Sequence, residues 1–328
     1  MATLITGGAG YIGSHMVWRM LDADEDVVVV DRLSTGFEWA VPAEAELVVG
    51  DIADQELIEA TIKRRNVDAI IHFAGSIVVP ESVSDPLGYY LNNTVKSRAL
   101  IESAVRTGVE HFIFSSTAAV YGSPEQVPVT EDETLKPESP YGTSKLMTEL
   151  MLRDTAAAHP LRYTALRYFN VAGADPRGRT GQSSKGATHL IKVASETATG
   201  KRDYMEVFGT DYPTPDGTCI RDYIHVSDLA DAHYLALQRL RAGGESIVAN
   251  CGYGRGYSVL EVVDAVKQVV GRDLDMRMSD RRPGDAVSIV ANSDRARKVL
   301  GWTPALDDLE TIVSHALAWE ERLRVRNS

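Results

Sequence analysis

Thr3-Leu4-Ile5-Thr6-Gly7-Gly8-Ala9-Gly10-Tyr11-Ile12-Gly13 runs a short apolar segment into glycines at 7, 10 and 13. Thr3 to Thr6 reads as a strand, the glycines as a tight turn, and Tyr11 to Leu21 as a helix. Glycine lets such a turn adopt unusual dihedrals and lets backbone approach a bulky pyrophosphate closely. The helix that follows points the positive end of its dipole at the phosphates. A tight turn alone could look the same, but a strand before it and a helix after it point to a dinucleotide site.

The pattern continues outward. Val27-Val28-Val29-Val30 reads as a buried second strand closed by Asp31, and Leu47-Val48-Val49 as a third leading to Gly50-Asp51. Ala69 to Phe73, Phe112 to Ser115 and Tyr163 to Tyr168 read as three more strands. Helical patterns separate them over Gln55 to Arg65, from about Pro86 to Thr107, and from Pro140 toward His159. Alternation of this kind predicts an α/β fold, a Rossmann-type doubly wound parallel sheet covered on both faces. After Asn170 the texture turns polar and turn-rich (Gly173 to Gly181), which predicts a smaller α/β C-terminal substrate-binding domain. The expected division is 1–171 for the dinucleotide and 172–328 mainly for the substrate, some later segments returning to the first core. Leu309, Ile312, Val313, Ala316 and Leu317 recur at helical spacing and predict a terminal helix packed on the body.

Composition narrows the function. The 328 residues are 44% hydrophobic, and 46 acidic against 34 basic side chains give a net charge of −12, which argues against nucleic acid as a partner. No apolar run is long enough for a membrane helix, and the N-terminus enters a strand without the layout of a signal peptide. The two cysteines, Cys219 and Cys251, form no C-x-x-C pair, so a cytoplasmic protein is expected. The eight histidines lack metal-ligand spacing, and no metal site is expected; no G-x-S-x-G elbow suggests a serine hydrolase.

Asp31 lies 24 residues after Gly7, where a carboxylate accepts hydrogen bonds from a ribose diol and repels a 2′-phosphate. NAD is therefore expected over NADP, despite Arg32 beside it. Asp51-Ile52 and Phe73-Ala74-Gly75 fall at strand ends where a cofactor passes, although Phe73 reads equally well as core. Tyr141 and Lys145 stand at i and i+4 of a helix and share one face. A nearby ammonium favours the phenolate of a group whose ordinary pKa is about 10. Ser115 and Thr117 close the fifth strand at the edge where open α/β sheets bind ligands, and the Thr117 hydroxyl is expected to share a proton with Tyr141 and a substrate oxygen.

Together these segments resemble the extended short-chain dehydrogenase/reductase family, and its sugar-nucleotide 4-epimerases most of all, over nearly the whole chain. The resemblance rests on Gly7 to Gly13, Ile71-His72-Phe73-Ala74-Gly75, Glu81-Ser82-Val83, Tyr89-Tyr90, Asn92-Asn93, Ser115 to Gly122, Tyr141 to Lys145, Arg167-Tyr168-Phe169-Asn170 and Arg221 to Val226. It implies that Thr117, Tyr141 and Lys145 do the chemistry, that Asn93 supports NAD, and that Tyr168 lines its nicotinamide end. It also implies that Arg221 and Arg282 address a UDP-sugar diphosphate, with Asn170 and His189 beside it. By the same resemblance Asp285 takes a ribose hydroxyl, Phe208 lies near the uracil, and Ile289 faces the sugar C2 substituent. Ile77 stands where some relatives carry a cofactor-contacting lysine. A homodimer through helices around 87–107 and 141–158 is implied as well.

The scaffold also hosts dehydratases, which need a further acid/base pair after the threonine. Here those positions hold Ala118 and Ala119. The expected reaction is 4-epimerisation of UDP-glucose and UDP-galactose through a 4-keto sugar, with NAD reduced and reoxidised in place. UDP-pentose or UDP-N-acetylhexosamine remain as alternative substrates, and a non-catalytic NAD-sensing protein as an alternative class.

Overall fold

The chain alternates extended apolar runs with capped helices, and each run finds its place in one large sheet. The computed structural model describes residues 1–184, 186–282 and 285–326. Its strands are β1 Ala2–Thr6, β2 Val27–Asp31, β3 Glu46–Val49, β4 Val67–His72, β5 His111–Thr117, β6 Arg162–Tyr168, β7 Asn170–Ala172, β8 Met205–Phe208, β9 Ile220–His225, β10 Ile247–Cys251, β11 Gly256–Ser258, β12 Met276–Ser279 and β13 Ser288–Ile289. The helices are α1 Tyr11–Leu21, α2 Gln55–Arg65, α3 Val79–Ser84, α4 Pro86–Tyr89, α5 Lys96–Thr107, α6 Pro140–Ala158, α7 Leu190–Ala198, α8 Val226–Arg241, α9 Val259–Val270, α10 Asp294–Leu300 and α11 Leu309–Arg326.

Seven parallel strands form the main sheet in the order β3-β2-β1-β4-β5-β6-β10. The chain leaves β1 toward β2 on one side and later returns to β4 on the other. That reversal creates a crevice at the carboxyl ends of β1 and β4. Side chains alternate across the sheet: Leu4 and Ile5, adjacent in β1, enter separate apolar clusters on opposite faces. Both faces are therefore covered, which explains the unbroken Val27–Val30 run.

The second half builds around β9, which pairs with β7, β11 and β13, while β8 and β12 form a separate parallel ladder. Residues 226–251 return to the main sheet, α8 packing on α1 and β10 docking beside β6. In α11, Leu309, Ile312, Val313 and Leu317 are buried as their spacing predicts.

One element departs from expectation. The helix expected from about Pro86 to Thr107 is interrupted over Tyr90–Val95 by a π-helical turn. The Asn93 carbonyl there is taken by two hydroxyls, Ser97 Oγ at 2.6 Å and Thr148 Oγ1 at 3.1 Å from α6. Two side-chain hydroxyls thus converge on a carbonyl inside the π turn, a feature that often marks a functional site.

Candidate active site

The glycine loop lies between β1 and α1 at the crevice. Gly7 has a φ of +72°, and a Cβ there would stand 2.7 Å from the Ala74 amide; a Cβ at Gly13 would be driven into the Gly7 carbonyl. Gly10 starts α1 with no side-chain cap, so the helix opens with bare amides ahead of Tyr11 and Ile12. Tyr11 OH donates to the Gly173 carbonyl at 2.7 Å, tying this loop to the second half.

Asp31 closes β2 against the loop. Its Oδ2 accepts from Ala9 N at 3.0 Å and its Oδ1 from Leu33 N at 2.8 Å. A carboxylate has about four acceptor sites, so a braced Asp31 keeps acceptors for a diol. Arg32 turns away: its Nε donates to Ser34 Oγ at 3.1 Å and its Nη1 lies 3.9 Å from the Asp51 carboxylate. Asp51 also pairs with Lys96 and accepts from Ala53 N at 2.9 Å. Burial opposes its charge, and these partners outweigh burial, holding its carboxyl below the usual range. Ile52 beside it is buried. Phe73 is half-buried with its ring 4.8 Å from that of His233, and Ala74 N donates to Thr6 Oγ1 at 3.4 Å. A Cβ at Gly75 would meet Asn93 Oδ1 at 2.9 Å and Lys145 Nζ at 3.6 Å, so this glycine is the close approach between cofactor loop and chemical centre.

The chemical centre sits at the carboxyl ends of β5 and β6. Ser139 caps α6 by accepting from Gly142 N at 3.2 Å, and Pro140 opens the first turn. That fixes Tyr141 and, one turn on, Lys145, both buried. Thr117, the last residue of β5, shares a hydrogen bond with Tyr141 and accepts from Ala119 N at 3.1 Å. Lys145 Nζ donates to the Ser115 carbonyl at 3.0 Å, and Ser115 Oγ bonds Tyr168 OH. Asn93 is buried beneath them: its Oδ1 accepts from Ser76 N at 2.7 Å and its Nδ2 donates to Ser144 Oγ at 3.0 Å.

Burial dominates the titration of this pair. It raises the Tyr141 phenol above its ordinary value, the Thr117 hydrogen bond pulling the other way. It also lowers Lys145 to about 8. The phenolate expected from a neighbouring ammonium is thus opposed by desolvation, and Lys145 is poised near neutrality.

The other expected residues gather along β9. Arg221 on β9 is in register with Ile289 on β13, and Tyr223 with Asn170 on β7. Asp285 joins the two arginines: its Oδ1 lies 3.6 Å from Arg221 Nη2 and its Oδ2 accepts from Arg282 Nε at 3.0 Å. The Arg282 guanidinium lies 4.7 Å from the Phe208 ring centroid. Asn170 and His189 line one cavity with Tyr223 and Trp319. His189 Nδ1 accepts from Gln182 Nε2 at 2.8 Å, and burial lowers its pKa, keeping it neutral. Ile289 is buried in an apolar cluster with Ala118, Val120 and Phe169, directly behind the Thr117 strand end.

Sequence reasoning missed the brace under this centre. Glu149 takes a two-pronged contact from buried Arg167 at 3.0 and 2.6 Å and also bonds Ser116. Arg167 Nη1 donates to Tyr121 OH at 3.0 Å, and Tyr121 donates to Asn250 at 2.7 Å. Glu149 lies four residues beyond Lys145, so a charge on the buried face of α6 was the readable signal. Asp222 was missed too: its carboxylate accepts from the amides of Tyr253, Gly254 and Ala291 at 2.9 to 3.1 Å, fixing the loops around β9.

Known proteins resemble this chain over nearly its whole length. The NAD dependent epimerase/dehydratase family matches residues 3–252. A UDP-glucose 4-epimerase of Azospirillum brasilense is 58% identical over 320 residues, 98% of this chain and 92% of that protein. The crystal structure of a Brucella ovis UDP-glucose 4-epimerase in complex with NAD superposes with a TM-score of 0.94 at 44% identity, covering 97% of each chain. The UDP-Glc/GlcNAc 4-epimerase of Campylobacter jejuni gives 0.85 at 47% identity, covering 98% of this chain and 99% of its own.

Proposed function

We infer that this chain, which belongs to the NAD dependent epimerase/dehydratase family, is a UDP-glucose 4-epimerase that interconverts UDP-glucose and UDP-galactose with bound NAD. The observation that carries the reading is the buried Thr117–Tyr141–Lys145 group followed by Ala118 and Ala119, which supply no second acid/base. The glycine cradle fits the cofactor, since a Cβ at Gly7 or Gly13 would fill it and Asp31 keeps acceptors free for the ribose.

Bound NAD supplies a reversible acceptor for the hydrogen that leaves C4 with its electron pair. Tyr141 takes the 4′-hydroxyl proton, Thr117 carries the hydrogen bond between them, and Lys145 holds positive charge beside the phenolate while it is protonated. Tyr141 gives its proton back to the C4 oxygen as the hydrogen and its electron pair return to the other face of C4, which inverts that carbon with no net oxidation. Arg221 and Arg282 address the diphosphate, where a planar guanidinium suits paired oxygens. Asp285 sets their spacing. Residues 1–171 are assigned to the cofactor and 172–328 mainly to the sugar nucleotide.

Turnover of UDP-galactose by purified protein without added nucleotide, with roughly stoichiometric NAD(H) released on denaturation, tests the reading. A protein inactive until NADP is supplied overturns it. A 4-keto-6-deoxy product would indicate a dehydratase, and NAD binding without turnover a sensing protein.

A second reading adds UDP-N-acetylglucosamine as a weaker substrate. It is favoured by apolar Ile289 in the pocket wall and by the Campylobacter jejuni relative named for both sugars.

A homodimer is supported by exposed Leu87 in α4, by Leu91 and Val95 in the π turn before α5, and by Met147 and Leu150 on α6. A Leu91→Glu chain running as a monomer in sedimentation, where the parent is a dimer, checks it. A cytoplasmic location is supported by two buried free cysteines. Among the described residues no helix is long and apolar enough to cross a membrane.

A further inference from the structure

His72, the last residue of β4, is buried among the Phe112 and Phe114 rings and touches neither Tyr141 nor the diphosphate arginines. Its two ring nitrogens are nonetheless fully engaged. Nδ1 lies 2.7 Å from Thr6 Oγ1, and Nε2 lies 2.8 Å from Ser97 Oγ.

The direction of each bond is fixed by its neighbour. Ser97 donates its one proton to the Asn93 carbonyl at 2.6 Å, so it must accept from His72 Nε2–H. A neutral imidazole protonated at Nε2 has a bare Nδ1, which accepts from the Thr6 hydroxyl. Thr6 Oγ1 in turn accepts from Ala74 N at 3.4 Å. Burial, and then the nearby Lys145 charge, lower the imidazole to about 3, which leaves it neutral.

This chain has two functional ends. Thr6 precedes Gly7, and Ala74 precedes Gly75, so one end is the cofactor cradle. The other is the π turn of Asn93, whose amide donates to Ser144 Oγ at 3.0 Å; Ser144 then donates to the Tyr141 carbonyl at 2.7 Å. Thr148 of the same helix shares the Asn93 carbonyl.

We propose that His72 is a positioning residue for the epimerase reaction, registering the Gly7 cradle against the Asn93 turn and thereby against Tyr141 and Lys145. The kinetic part of this inference rests on the epimerase reading above; the cofactor-retention part does not. Misplacement of a reacting group by about 1 Å can cost about 100-fold in rate; the Asn93–Ser76 bonds join the same two elements further along the loop, and the imidazole is the bridge that reaches Thr6 beside Gly7.

The test uses the whole protein with the cofactor it carries through purification. His72→Phe keeps a ring and removes both nitrogens. His72→Gln offers a donor near the position of Nε2, and His72→Asn an acceptor near that of Nδ1. Expected for His72→Phe is a kcat lower by about 10–100-fold, with KM for UDP-galactose within about twofold. NAD(H) released on denaturation should also fall below that of the parent. Gln should recover kcat more than NAD retention, and Asn the reverse. Ser97→Ala, cutting the chain beyond the imidazole, should lower kcat and leave retention intact.

A folded His72→Phe or Ser97→Ala protein matching the parent in kcat and retention overturns the proposal. So do identical losses in the Phe, Gln and Asn variants, which would mark a purely structural role. If the parent itself fails on UDP-galactose, the epimerase reading falls, while NAD retention in the three His72 variants still decides whether the imidazole positions the cradle.

Discussion

The chemical end and the recognition end of this site are held by different kinds of contact. Around Tyr141 and Lys145 the side chains are buried: Lys145 donates to the Ser115 carbonyl, Ser144 and the Ser139 cap fix the first turns of α6, Asn93 holds Ser144, and the buried Glu149–Arg167 pair braces the helix. Around Arg221 and Arg282 the partner is one carboxylate, Asp285, and Arg282 is 40% exposed along its side chain. Buried hydrogen bonds in a dry site cannot be traded for water without cost, so that end keeps one geometry. An exposed ion pair is weak and exchangeable. The Arg221–Arg282 end can therefore adjust its geometry, and the Tyr141–Lys145 end cannot. Rigidity lies where protons are proposed to move, and compliance where the substrate is proposed to be held.

The contrast is broken most directly at Tyr141. Tyr141→Phe should lower kcat by about 10²–10⁴ while UDP binding and the thermal midpoint stay near the parent's; stopped turnover with intact calorimetric UDP binding is the expected pair of results. A Phe variant within a few-fold of the parent would move the acid/base role elsewhere.

Lys145 sharpens the same side through pH. Its folded value is about 8 against an ordinary 10.5. Between those values the unfolded chain binds a proton that the folded chain does not, so stability rises with pH across that window. Below about pH 8 both states are protonated and the burial penalty is present in full. Lys145→Met should lack this rise, a difference of about 3 kcal/mol between the two ends of the window. Urea unfolding of cofactor-stripped protein at pH 7.5 and 10.5 measures it, and parallel curves for parent and variant would refute it.

At the recognition end the losses should appear in KM. Arg221→Leu removes a charged hydrogen-bonding group worth about 1.5–3 kcal/mol, so KM for UDP-galactose should rise by about 10–100-fold with kcat little changed. A fall in kcat instead would mean that this end is as geometrically committed as the other.

The smallest effect is expected at Ile289. Ile289→Tyr enlarges a stiff, buried side chain beside Ala118 and Phe169. It should remove turnover of UDP-N-acetylglucosamine and cost the UDP-glucose reaction less. Equal losses on both sugars would show that the wall does not sort by the C2 substituent.

The rigid end was also the more legible one. Gly7, Gly13, Asp31, Tyr141 and Lys145 each answer to local rules of turn, strand end and helix face, and the structure brings all five to one crevice. The π turn was not legible: the hydroxyls that meet its Asn93 carbonyl come from Ser97 and from Thr148, which lies 55 residues away in sequence. Nor was the Glu149–Arg167 pair, since a charge on a helix face reads as solvated until the fold covers it. Asp285 was expected to meet a ribose, and its additional task of joining Arg221 to Arg282 depends on β13 lying beside β9. Local chemistry is written in order along the chain, whereas partners across the sheet are not.

The position of β10 has a consequence during synthesis. β6 is complete at Tyr168, yet its neighbour on the outer side, Ile247–Cys251, is made much later. At roughly 5–20 residues per second, about 80 further residues keep the edge of β6 open for about 4–16 s. An open apolar edge is a template for wrong pairing. A nascent chain stalled in that interval should be held by chaperones, and an isolated fragment ending near residue 171 should aggregate. Expression of residues 1–171 and 172–328 as separate polypeptides is therefore expected to fail: the newborn protein needs its second half before its first is safe from its neighbours.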